Sequence, residues 1–93
     1  MTFLEELTAH KSGLIRLKGE LFWYGGRGWD GTRGRVCLLM DSALTYDGAP
    51  AAPTARTRYA DVDADDFGDA AACLLIDGRP HWVWIDPADV ELL

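Results

Sequence analysis

Leu14-Ile15-Arg16-Leu17-Lys18-Gly19-Glu20-Leu21-Phe22-Trp23-Tyr24, then Gly25-Gly26-Arg27-Gly28-Trp29-Asp30-Gly31-Thr32-Arg33-Gly34, then Arg35-Val36-Cys37-Leu38-Leu39-Met40, is the stretch that decides the fold. The first run alternates. Ile15, Leu17, Leu21 and Trp23 fall on one face, and Arg16, Lys18, Glu20, Phe22 and Tyr24 on the other. Period two over that length predicts a half-buried strand. The glycine-rich run punctuates it. The third run is nearly all apolar and suits a strand covered on both sides.

Working outward, residues 2–10 predict a short helix, part of a helical lead-in over 1–12. Thr2 is the N-cap and Glu5 stands at the capping-box spacing. Phe3, Leu4 and Leu7 form its apolar face, and Lys11-Ser12-Gly13 ends it. Residues 47–57, rich in Pro, Ala and Gly, read as a flexible connector. Residues 56–62 alternate weakly and suit an edge strand. Ala71-Ala72-Cys73-Leu74-Leu75-Ile76 is a strand, Asp77-Gly78 is a favoured hairpin turn, and His81-Trp82-Val83-Trp84-Ile85 returns. Asp86 caps one helical turn with Pro87 at its first position. Val90-Glu91-Leu92 closes the chain as a short strand.

The chain of 93 residues makes one domain. The predicted core is Ile15, Leu17, Leu21, Trp23, Val36, Leu38, Leu74, Ile76, Val83 and Ile85. No apolar run reaches the length of a membrane span. The first residues carry acids where a secretory signal carries bases, which predicts a cytoplasmic protein. Cys37 and Cys73 each sit in an apolar run and read as buried, reduced thiols.

The net charge of −6 is uneven. Residues 1–58 hold eight bases and six acids, a balance of +2. Residues 59–93 hold one base and nine acids, a balance of −8. Such an acidic half argues against generic binding to DNA phosphates.

Several chemistries are tested by spacing and fail. Gly26-Arg27-Gly28-Trp29-Asp30-Gly31 fits G-x-G-x-x-G, but a dinucleotide site needs a helix to follow, and a strand follows here. Asp61, Asp63 and Asp65 stand at positions 1, 3 and 5 of a calcium loop. Position 6 is Asp66 instead of glycine, and position 12 is Ala72 instead of glutamate. His10, Cys37, Cys73 and His81 lack the paired spacing of a zinc site. The nucleophiles Cys37, Cys73, Ser12 and Ser42, with the bases His10 and His81, form no catalytic motif. No enzyme and no cofactor is expected.

The hairpin, the turn Asp86-Pro87-Ala88-Asp89 and the strand Val90-Glu91-Leu92 together resemble the close of an SH3-like small barrel. KOW and Tudor-type domains end similarly. The resemblance covers about the last twenty residues. It implies a mainly β fold, here about five strands plus the helix, and a binding module for peptides or nucleic acids. The A-L-Y-D-Y and W-W-x-x peptide-binding motifs are absent.

The function expected is therefore a non-catalytic protein-binding module. With Leu21, Trp23, Val83 and Ile85 inward, Phe22, Tyr24, Trp82 and Trp84 face outward, and Trp29 joins them from the glycine loop. Asp61, Asp63, Asp65 and Asp66 supply an acidic steering rim. The partner is another protein or a second copy of the chain. The competing structural reading has the helix or a long loop covering those rings as a second layer of core. A second function class is a nucleic-acid-related protein. It is either a KOW- or Tudor-like reader using Arg16, Lys18, Arg27, Arg33 and Arg35, or a small phage-type inhibitor whose acids imitate DNA.

Overall fold

The computed structural model describes residues 2–43, 49, 53–58 and 70–93. Among the described residues the chain is mainly β, with one short helix and one seven-stranded sheet. Helix α1 spans Phe3–Ala9, and the Thr2–Glu5 capping box forms as the sequence predicts. The helix ends differently from expectation. Ser12, not Gly13, takes the left-handed conformation, with φ of 72°. Gly13 is needed for close approach instead. A Cβ there would stand 2.8 Å from Nε2 of His10, whose ring nitrogen bonds the carbonyl of Leu14 at 2.7 Å.

The strands are β1 (Leu14–Leu17), β2 (Leu21–Trp23), β3 (Val36–Ala43), β4 (Ala55–Thr57), β5 (Ala70–Ile76), β6 (Arg79–Ile85) and β7 (Val90–Leu92). Their order in the sheet is β2-β4-β6-β5-β3-β1-β7. All pairs are antiparallel except β4 with β6. The single long strand expected over 14–24 is two. At Lys18-Gly19-Glu20 the backbone changes partners. The Leu17 N–H donates to Arg35 and the Lys18 N–H to Asp89, whereas β2 ladders with β4.

That short link forces the sheet to curl. β1 and β2 stand at the sixth and first places in the order. In a flat sheet they would lie about 24 Å apart, five strand spacings. The chain from Leu17 to Leu21 reaches only about 14 Å. The sheet is therefore rolled towards itself, and it stays open, with no ladder between β2 and β7.

Directly paired residues share a face, so the registers define the two faces. The inner face carries Ile15, Leu17, Leu21, Leu39, Leu74, Ile76, Val83 and Ile85, all buried, with α1 packing Leu7 against them. The predicted core holds except on β3, where the faces are reversed. Cys37 and Leu39 point in, Leu38 is half-buried, and Val36 is 42% exposed. Trp23 is half-buried. β3 is apolar on both sides, so alternation cannot choose its face. Pairing with β1 chooses it, because Ile15 opposes Cys37. The register then shifts between Leu39 and Asp41, and Asp41-Ser42-Ala43 continue the strand.

The remaining local signals form as read. Asp77 and Gly78 both take positive φ, 53° and 78°, in the two-residue hairpin between β5 and β6. Asp86 accepts the Ala88 N–H at 2.7 Å and starts the 3₁₀ turn Pro87–Asp89. The connector expected over 47–57 contains β4, which lies between β2 and β6 rather than at an edge. Ala49 packs on the sheet. The segment 59–69, with the calcium-like spacing, lies outside the described residues.

Candidate functional site

The aromatic residues predicted to form one surface occupy separate places. Phe22, Trp82 and Trp84 do lie on the outer face, as alternation predicts, but Arg56 stands between Phe22 and Trp84 in the register. Trp84 is 2% exposed and packs with Ala71, Ala43, Ala49 and Trp82. It belongs to a second layer of core, so the expectation of an exposed Trp84 is corrected. Its indole Nε1 is buried without a hydrogen-bond partner among the described residues. Tyr24 follows β2 and is 44% exposed. Asp61, Asp63, Asp65 and Asp66 lie outside the described residues.

Trp29 joins the inner side rather than the outer one. The loop turns back on β2: the Trp23 N–H donates to Arg27 and the Trp29 N–H to Leu21. Gly25 and Gly26, at φ of 110° and 89°, allow that reversal. Trp29 thereby stacks on Trp23, with centroids 4.1 Å apart, and His81 meets Trp29 edge-on at 4.9 Å. The sequence carried no sign of what fastens the loop. Thr32 is buried, accepts the Leu21 N–H at 2.8 Å, and donates to the Trp29 carbonyl at 2.6 Å. A threonine between glycines carried no signal of that role.

The outer face has its own apolar row. Leu14 opposes Leu38, Leu38 opposes Leu75, and Leu75 opposes Pro80, so the row crosses four strands. The N–H of Leu93 donates to Leu14 and extends it. Leu14 is 47% exposed, and Val36, Met40 and Leu93 are also exposed. Ion pairs Lys11–Asp41 (3.8 Å), Arg16–Glu91 (3.5 Å) and Arg35–Asp77 (2.6 Å) flank it. Two of the five bases of the expected reader, Arg16 and Arg35, are thus engaged with carboxylates. Lys18 and Arg33 line a separate cleft of about 330 Å³ beside the 3₁₀ turn.

The cysteines are free and buried. Cys37 faces inward and Cys73 outward, opposite Asp41 and Trp82. Burial pushes the Cys37 thiol above its ordinary range; Arg35 pulls it partly back and Asp77 pushes it further up. Burial does the same to Cys73, with Asp41 adding to it. A thiol whose folded pKa is raised holds its proton more tightly in the native state. Its full contribution to stability is present below the unfolded value of about 8.5 and is lost as pH rises towards the folded value. Both thiols should react slowly with a thiol reagent in native protein and fast in urea. The urea midpoint should fall more steeply above pH ~8.5 in wild type than in a Cys37→Ala, Cys73→Ala variant. Rapid native labelling of both thiols, or parallel midpoint curves, would contradict this.

No group of three or more metal-ligating side chains occurs among the described residues, and no described helix is long and apolar enough to cross a membrane. Comparison of the chain with protein-family models, with curated proteins and with solved structures finds no match.

Proposed function

We propose that the chain is a non-catalytic protein-binding module built on an SH3-like small barrel. The curled strand order and the closing 3₁₀ turn before β7 support the barrel kinship. The observation that carries the function is the outer apolar row Leu14–Leu38–Leu75–Pro80 with exposed Val36 and Met40 beside it. A contiguous apolar patch left in water marks a contact surface, because burying it against a partner releases about 25 cal/mol per Å². The contact centre moves from the tryptophans to this row.

The occupant that fits is a second copy of the chain. The chain carries −6 overall, but the three ion pairs around the row are neutral as a set. A two-fold axis through such a face sets bases of one copy against acids of the other, and the apolar row against itself. Sedimentation equilibrium over a concentration series should therefore report a dimer. Leu14→Glu with Val36→Glu, both at exposed positions, should give a monomer that melts within a few degrees of wild type. Wild type that stays monomeric throughout the series, or a charged variant that still dimerises, would refute this pairing. The nucleic-acid reading is the weaker one, since the basic group it needs is divided between ion pairs and the cleft.

A further inference from the structure

The cleft lies where the sheet stays open. It is walled by the link between β1 and β2, the end of β4, the 3₁₀ turn and Arg33 of the glycine loop. Its volume of about 330 Å³ is at the small end of ligand pockets.

Its charge differs from that of the chain. Lys18, Arg33 and Arg58 line it against Glu20 and Asp89, a balance of +1 in a chain of −6. Lys11, Arg16 and Arg35 each hold a carboxylate, but Lys18 and Arg33 form no ion pair among the described residues. The cleft therefore keeps a net positive charge on a concave surface. Glu20 turns its carboxylate over Gly28, with Oε1 2.7 Å from where a Cβ on that glycine would stand.

An uncharged residue closes the cleft beside Asp86. Thr57 is 2% exposed and lines the cleft. Its Oγ1 accepts the Asp86 N–H at 3.1 Å, and its own proton has no acceptor among the described residues. The half-buried ring of Phe22 forms another wall.

We propose that this cleft binds a phosphate group carried next to a flat ring, a nucleotide unit. A guanidinium fork and an ammonium suit the several oxygens of one phosphate better than the two of a carboxylate. Phe22 offers the face on which a base stacks. The unit comes either from a free nucleotide or from the end of a single strand, and the same chemistry recognises both.

The test is an NMR titration of the full chain, following the backbone amides of Lys18, Gly19, Phe22, Arg33 and Arg58. The probes are adenosine 5′-monophosphate, adenosine, inorganic phosphate and a 5′-phosphorylated single-stranded oligonucleotide. The monophosphate should shift these amides and bind at least about ten-fold more tightly than adenosine or phosphate alone. Arg33→Gln or Lys18→Gln should weaken it by about ten-fold with an otherwise unchanged spectrum. Equal affinity for monophosphate and oligonucleotide assigns the site to free nucleotides, and tighter oligonucleotide binding assigns it to strand ends. No shift with any probe at about 10 mM, enough to saturate a millimolar site, overturns the proposal. Binding that is unaltered in Arg33→Gln and Lys18→Gln also overturns it. Inorganic phosphate binding as tightly as the monophosphate removes the role of Phe22 and overturns the nucleotide assignment.

Discussion

Leu39→Ala will cost the fold about 2–5 kcal/mol, while Leu38→Ala will cost about 1 kcal/mol or less. The two residues are adjacent and chemically identical, so the difference isolates the face of β3. Leu39 is fully buried and opposes Leu74 on the inner side. Its backbone is also fixed: its N–H donates to Gly13 at 2.9 Å, and its carbonyl accepts from Ser12 at 2.8 Å. The strand cannot slide to fill the space, so truncation leaves a cavity, and cavities are what make such substitutions expensive. Leu38 sits in the outer row between Leu14 and Leu75, half in water already. Urea denaturation of the two variants reads the contrast directly. Because Leu39 and Leu74 touch, removing both should cost less than the sum of the single changes. Equal losses for Leu38 and Leu39, or a larger loss at Leu38, would mean that the register against β1 is shifted by one residue, since a shift of one exchanges the faces.

This reversal shows where sequence stops specifying the fold. The features that were legible are those decided within a few residues. The Thr2–Glu5 capping box, the Asp77-Gly78 turn and the Asp86 cap all depend on one side chain reaching a nearby N–H, or on two backbone conformations. The alternation of Ile15, Leu17 and Leu21 was legible because its other face is polar. On β3 both faces are apolar, and only the partner strand decides. Gly19 is a weak signal inside an alternating run, so the switch from β1 to β2 was not visible. Nor was β4. Ala55-Arg56-Thr57 has little intrinsic strand preference, and it becomes a strand because β2 and β6 offer it two rows of hydrogen-bonding groups. The expected aromatic surface was divided for the same reason. Parity placed Phe22, Trp82 and Trp84 on one face, but the residues that cover Trp84 and separate it from Phe22 come from distant parts of the chain. The apolar row that replaces it exists only in the register, since its four residues come from four different strands.

Thr32→Val should cost about 2–4 kcal/mol, far more than its size suggests. Valine has nearly the shape of threonine, so the substitution opens no cavity. It removes a hydroxyl that holds two parts of the chain together. Thr32 Oγ1 accepts the Leu21 N–H at 2.8 Å and donates to the Trp29 carbonyl at 2.6 Å. Thr32 is 1% exposed, so no water can replace the lost acceptor of Leu21, and a buried unsatisfied donor carries the full cost of its desolvation. The Trp29 carbonyl keeps only the Thr32 backbone N–H, at 3.3 Å. The consequence extends to the aromatic cluster, because Trp29 reaches Trp23 only while the loop is folded against β2. Thr32→Ser supplies the control: it retains the hydroxyl, loses one methyl, and should cost about 1 kcal/mol. Denaturation gives the energies, and near-UV circular dichroism reads the stacked Trp23–Trp29 pair independently. Thr32→Val should lose much of that signal before unfolding, and Thr32→Ser should keep it. If valine and serine destabilise equally and both preserve the signal, the glycine loop is held by its backbone bonds to β2 and not by this hydroxyl.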